Sequence, residues 1–328
     1  MKRWSRWLCV PALLALGTLS MAESKYPARV VSLMVPYAAG AASDITARAL
    51  SGPVGKELEG QVIVENLGGA SGTIAAGKVL TAPADGYYLF QGSPSELILP
   101  TIVNKSTRYK PEDFQWVAPV ATSPIIVVVN SALPVQSLDE LVELARSRKS
   151  APLSYGTTGA GTLYNLLGEL FIKRTGAEIT HVPYKGGAPL IQDLIGGQID
   201  FAFMPYQASY ADYVKQGRLR IIGALGSAKS LPAQFSGVQS SADSKALKDF
   251  NFSIWTGYAV KKGTPRPIVE RLNTAITNAL KDPQARSLLE QQAKTIFEPM
   301  SVEAGESFYA KEVARYRELV KTTGYELP

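Results

Sequence analysis

Two stretches of this chain set small residues and hydroxyls just ahead of a helical pattern, where backbone amides can hold an anion. The first is Pro36-Tyr37-Ala38-Ala39-Gly40-Ala41-Ala42-Ser43-Asp44, with Ile45, Ala49 and Leu50 following on one helical face. A helix start offers unpaired N–H groups and the positive end of its dipole, so such a turn can take an anion without a charged side chain. The same residues also suit an ordinary capped helix, with Ser43 or Asp44 as the cap. The second stretch is Tyr155-Gly156-Thr157-Thr158-Gly159-Ala160-Gly161-Thr162, in which three glycines and three threonines precede an amphipathic run. Its hydroxyls and amides are placed to converge on one oxyanion, though a tight turn set by packing is the alternative. The glycine spacing is not that of a dinucleotide turn, and no Gly-Lys-Ser/Thr follows.

Two further turns read as structural. Asn66 to Thr73 is a glycine-rich turn ahead of a helix, and His181 to Pro189 joins a strand to a helix. His181 is the single histidine, so no His-x-x-x-His metal pair exists, and its position in a strand points to a structural role. No Gly-x-Ser-x-Gly elbow is present, and the single cysteine, Cys9, lies near the N-terminus. These counts argue against hydrolytic and metal-dependent enzymes and suggest binding without chemistry, with no cofactor. Tyr37, Tyr155, Tyr164 and Tyr206 are aromatics that could line a cleft or serve packing.

The elements that would position these turns alternate. Short β-branched runs at Val30–Tyr37, Val62–Glu65, Tyr87–Ser93, Ile125–Val129, Leu153–Thr158, Ile179–Tyr184, Ile199–Met204, Leu219–Leu225 and Trp255–Lys261 read as strands. Helical spacing is clearest at Leu163, Leu166, Leu167, Leu170 and Phe171. It recurs at Val269, Leu272, Ile276 and Leu280, and at Tyr309, Val313, Tyr316 and Val320. The pattern predicts an α/β fold of doubly wound sheets, with function at the strand-to-helix turns. Ser51-Gly52-Pro53 predicts a kink or break in the first helix.

Lys2, Arg3 and Arg6, the apolar run Trp7–Leu19 and the small residues Ser20-Met21-Ala22 have the form of a secretory leader, which predicts residues 1–22 as a signal peptide and a periplasmic protein. Removing it takes three positive charges from the formal +6 and leaves +3. That is too weak a field for nucleic acid but suits small anions.

Several motifs taken together resemble a known family. They are Tyr26-Pro27 through Asp44, Val64-Glu65-Asn66, Gly69-Ala70-Ser71-Gly72, Ala82 to Tyr87 and Gly92-Ser93. They continue with Leu153 to Gly156, Gly159 to Thr162, Gly168 to Phe171, His181 to Pro189, Asp193 to Asp200, Gly217 to Arg220 and Gly263-Thr264-Pro265. In this order they resemble the Bug-type extracytoplasmic receptors of the tripartite tricarboxylate transporter family. The resemblance implies two domains joined by crossing strands, as in type II periplasmic binding proteins, with the ligand between them. It implies a discontinuous first domain (23–123 and 227–328) around a second (124–226). A small carboxylate would be held by Tyr37, Ala41, Ser43 and Asp44 in the first turn and by Thr157, Thr158, Gly159, Gly161 and Thr162 in the second. Ser93, Met204, Tyr206 and Gln207 would line the rest, and Asn165 stands where relatives often carry histidine. The implied partners are the small carboxylate and integral-membrane permease subunits, with the receptor a monomer. A sensor for a signalling partner and a periplasmic hydrolase using His181 are the alternatives.

Overall fold

The computed structural model describes residues 26–327, so the leader read at 1–22 lies outside it. The chain opens with β1 (Val31–Val35), α1 (Ala42–Leu58), β2 (Val62–Asn66), α2 (Thr73–Thr81) and β3 (Tyr88–Gly92). All five residues of β1 are buried, as befits a strand flanked by β2 and β3, both parallel to it. Two short helices, α3 (Pro94–Leu97) and α4 (Leu99–Val103), then lead into the 17-residue strand β4 (Phe114–Asn130).

The second lobe follows with α5 (Leu138–Ser147), β5 (Leu153–Thr157), α6 (Leu163–Thr175), β6 (Ile179–Pro183), α7 (Gly187–Gly196), β7 (Phe201–Pro205), α8 (Ser209–Lys215), β8 (Leu219–Leu225) and β9 (Gln239–Ser240). The chain then returns through β10 (Ser253–Lys261), α9 (Arg266–Ala279), α10 (Pro283–Gln291), β11 (Thr295–Ile296) and α11 (Val302–Thr323). The first sheet runs β2-β1-β3-β10-β4, and the second runs β4-β7-β5-β6 with β8 on the other side of β4.

β4 is therefore shared. Its residues Phe114 to Pro124 pair with β10, and Ile125 to Asn130 pair with β7 and β8. The second crossing lies beside it in two pieces: Leu225 pairs with Ile125, and Ser253 pairs with Pro124. Between them the chain makes an excursion through 226–252 and comes back to its starting point, where Phe252 N–H donates to Leu225 O at 3.3 Å. That excursion bonds to the second lobe, not to the first as the 226/227 boundary expects. β9 pairs with β8, and the Asp139 carboxylate accepts from Gln239, Ser244 and Lys245. Asp139 lies at the start of α5, so the side chains of the second lobe hold the excursion down.

α1 also departs from expectation. It is unbroken over 17 residues with Pro53 inside it. Ala49, Leu50, Val54 and Leu58 bury one face beside α9, and that tertiary packing outweighs the lost backbone hydrogen bond. Its N-cap position is Ala41, with no side-chain cap, so neither Ser43 nor Asp44 caps it.

Trp116 on β4 anchors α11. Its ring stacks on Tyr309 at 5.0 Å and 6° and meets Trp255 edge-on at 5.2 Å. Gly257 leaves the space, since a Cβ there would come within 2.2 Å of the indole. From this anchorage α11 reaches the second lobe, where Lys173 of α6 donates to the carbonyls of Thr322 and Thr323 at 3.2 and 3.3 Å.

Candidate functional site

The carboxyl end of β1, the start of α1, the end of β3 and the turns after β5 and β7 meet around a cavity of about 650 Å³, counting its open mouth. Tyr37, Ala41, Ser43, Ser93, Thr158, Tyr164, Met204 and Gln207 line it. The first three come from the glycine–alanine turn, whose lack of bulk brings the backbone to the cavity edge. Ala42 and Ser43 also contribute the first N–H groups of α1, which have no carbonyl four residues earlier in the helix.

The lobes touch around this cavity. Ser71 O–H donates to Ala160 O at 2.6 Å, Leu163 N–H to Ser95 Oγ at 3.1 Å, and Ala208 N–H to Gln292 Oε1 at 3.0 Å. Ser71 makes its contact from a left-handed backbone, φ 54°, which is unfavourable for a residue with a side chain. Tyr325 O–H adds a further bond from the C-terminal tail to Asn165 Oδ1.

The remaining expected residues are placed elsewhere, for identifiable reasons. The second turn coils on itself and uses its own polar groups. Gly159 N–H donates to Thr157 Oγ1 at 3.3 Å, Gly161 N–H to Asn165 Oδ1 at 2.9 Å, and Thr162 O–H to Gly159 O at 2.8 Å. Thr162 also caps α6, accepting from Asn165 N–H. Of that turn, Thr158 reaches the main cavity, while Gly159 lines a separate recess at the lobe junction with Ser71. Tyr155 is buried beneath, stacked on His181 with ring centres 4.9 Å apart, its hydroxyl on Glu169 at 3.0 Å. His181 sits 2.8 Å from Thr157 Oγ1 and outside the cavity lining, and burial pushes its pKa down. Tyr206 is 1% exposed and packs on Phe235 in the core of the second lobe. Asp44 faces away from the cavity. Burial would raise its pKa, but Arg48, the Gly40 amide and Asn66 donate to it and hold it below the ordinary carboxylate range.

The cavity also holds groups outside the residues expected from the sequence. Glu96, which completes a capping box with Ser93, accepts from Ser93 N–H and O–H, both at 2.7 Å, and from Tyr37 O–H. Burial raises its pKa and these donors oppose the rise, while burial and the facing carboxylate push Tyr37 well above its usual range. Lys294 enters from the segment between α10 and β11, with Ser123 Oγ accepting from its ammonium at 2.9 Å. Three buried polar atoms of the lining have no hydrogen bond: Ser43 Oγ, Gln91 Oε1 and Thr158 Oγ1, the last near the Tyr37 hydroxyl but without hydrogen-bonding geometry. Buried polar groups without protein partners are uncommon in folded proteins, and three of the six such atoms among the described residues face this one cavity, where a bound molecule or ordered water can supply the missing bonds. Among the described residues no cluster of His, Cys, Asp and Glu is arranged to hold a metal ion.

Comparison with known proteins places this architecture. BugT of Bordetella pertussis is 32% identical over 308 residues, 92% of this chain and 91% of its own. The solved periplasmic binding protein BugD superposes with a TM-score of 0.82 at 27% identity, covering 92% of this chain and 99% of its own. Rpa4515 of R. palustris, solved with adipate, gives 0.82 at 29% identity over 92% of this chain and 99% of its own. The sequence model described as tripartite tricarboxylate transporter family receptor matches residues 46–325, and the chain belongs to that family.

Proposed function

We propose that this protein is a periplasmic receptor that captures a small organic acid between its lobes and hands it, unchanged, to permease subunits in the membrane. The observation that carries the reading is the cavity itself. The start of α1, the turn after β5 and the turn after β7 converge there from both lobes, and Ser43, Gln91 and Thr158 present buried polar atoms that lack protein partners. The free amides at the start of α1 favour an anionic group. Adipate in a relative with 29% identity supports a carboxylic acid as that group, and family membership supports delivery to a transporter. Bonds from both lobes to one ligand favour the closed arrangement over an open one, which gives a partner a shape to recognise.

A thermal-shift series of organic acids tests this, because a ligand that binds only folded protein raises the melting temperature. At least one carboxylate is expected to do so and to contract the particle in small-angle scattering. A series in which no acid shifts the melting point would remove the reading. Within the site, Thr158→Val should weaken that acid about tenfold, one hydrogen bond's worth, and leave the melting point of free protein unchanged or slightly raised. Equal affinity in calorimetry would take Thr158 out of the site.

A further inference from the structure

We infer that Lys294 pairs with an acidic group of the ligand at the hinge end of the cavity, so that the receptor selects diacids over monoacids. The inference rests on the receptor reading above and specifies its ligand class.

Lys294 is 7% exposed, and its ammonium has one protein partner, Ser123 Oγ at 2.9 Å. Among the described residues no carboxylate lies within ion-pairing distance of it. The carboxylate of the same cavity, Glu96, is engaged by Ser93 and Tyr37. A buried cation is costly to the fold unless an anion joins it. That cost makes sense when the missing anion arrives with the ligand.

The location gives the chemistry its direction. β11 pairs with β4 at Thr122 and Ala121, one residue from Ser123 and two from Pro124, where the chain passes between lobes. Lys294 therefore occupies the cavity floor at the crossing. The amides of Ala42 and Ser43 belong to a different element, the start of α1, and form a neutral donor set. One cationic and one neutral donor set suit a short chain with an acid at each end. The ammonium, with one N–H on Ser123, can donate its other two to a carboxylate there.

Burial lowers the pKa of Lys294 to about 8, so its charge changes within an accessible range. The other titratable groups of the cavity are Glu96, Tyr37 and Tyr164. Burial pushes both phenols well above their usual range and raises Glu96. The strands beside Lys294 contribute Ser123, Ile254 and Thr256, none of which titrates.

Calorimetry with adipate, succinate and their half-amides tests the inference. Wild-type protein is expected to prefer a diacid over its half-amide by at least about 30-fold, in line with a charge-assisted pair. Lys294→Met should bring the diacid down to the affinity of the half-amide while the free variant melts higher than wild type, because the unpaired charge is gone. In wild type alone, diacid affinity should fall by up to about tenfold per pH unit above about 8, and half-amide affinity should stay level. Wild type that binds diacid and half-amide equally overturns this inference alone, as does an unchanged preference in Lys294→Met. A Lys294→Met variant that melts lower and loses both ligands alike would make the lysine structural and overturn it too. Wild type that binds no carboxylate overturns the receptor reading and this inference with it.

Discussion

Gly159→Leu is expected to weaken ligand binding by about 100-fold or more while the second lobe stays folded. Gly159 has φ +143°, and a Cβ built there lies 2.5 Å from Ser71 Oγ in the opposite lobe. The leucine therefore pushes against the residue whose hydroxyl bonds Ala160 across the junction. The loss of that bond and the clash fall on the closed form, and about 2.7 kcal/mol of such bias gives the hundredfold. The backbone strain, of order 1–3 kcal/mol, falls on open and closed forms alike and lowers the melting point without touching the closure equilibrium. Ser71→Gly in the same chain removes the obstructing side chain and relieves a left-handed serine, so the double variant should recover part of the affinity. Calorimetry with the tightest acid of the thermal-shift series reads all three proteins. A Gly159→Leu protein that binds and contracts like wild type would show that the lobes close by another route.

The largest loss of stability is expected at Trp116. Trp116→Ala should cost about 3–5 kcal/mol in denaturant unfolding, as for other buried aromatics cut back to alanine. The indole is 1% exposed, stacks on Tyr309 and meets Trp255 and Phe308, so a single truncation opens a void under α11 and loosens its hold on β4. Gly257 and Gly305 around the ring are shaped to it and cannot refill the space. The protein that remains folded should still bind ligand, because Trp116 is not part of the cavity lining. A loss under about 1 kcal/mol would mean that the aromatic cluster repacks, which such geometry argues against.

Local pattern made most strands and the long helices legible, because a buried parallel strand has to be a short β-branched run. The first half of β4 was not legible. Proline is disfavoured within a strand because it lacks the N–H, yet Pro119 sits opposite Gly257, beside a register shift in β10, where a missing N–H is tolerated. The excursion through 226–252 carries little periodicity, and only its contacts with Asp139 and β8 reveal which lobe it joins. In the site, Ala41, Ser43 and Thr158 could be found because small residues at a strand-to-helix turn are a local signal. The inward use of Thr157 and Gly161 could not, since it depends on His181, on another strand, and on Asn165, in the first turn of the helix. Lys294 carries no local signal either. A lysine in a polar stretch ordinarily faces water, and only the pairing of β11 with β4 brings this one indoors.

The return of the chain at Phe252 to where it departed at Leu225 has a consequence for the order of assembly. Everything the second sheet needs is present in residues 125–252, so that lobe can complete itself before β10 exists. The first sheet cannot, because β10 is the strand that separates and joins β3 and β4. A chain cut short ahead of Ser253 therefore presents one finished lobe beside β3 and a first half of β4 that lack their partner strands, and such open edges invite aggregation.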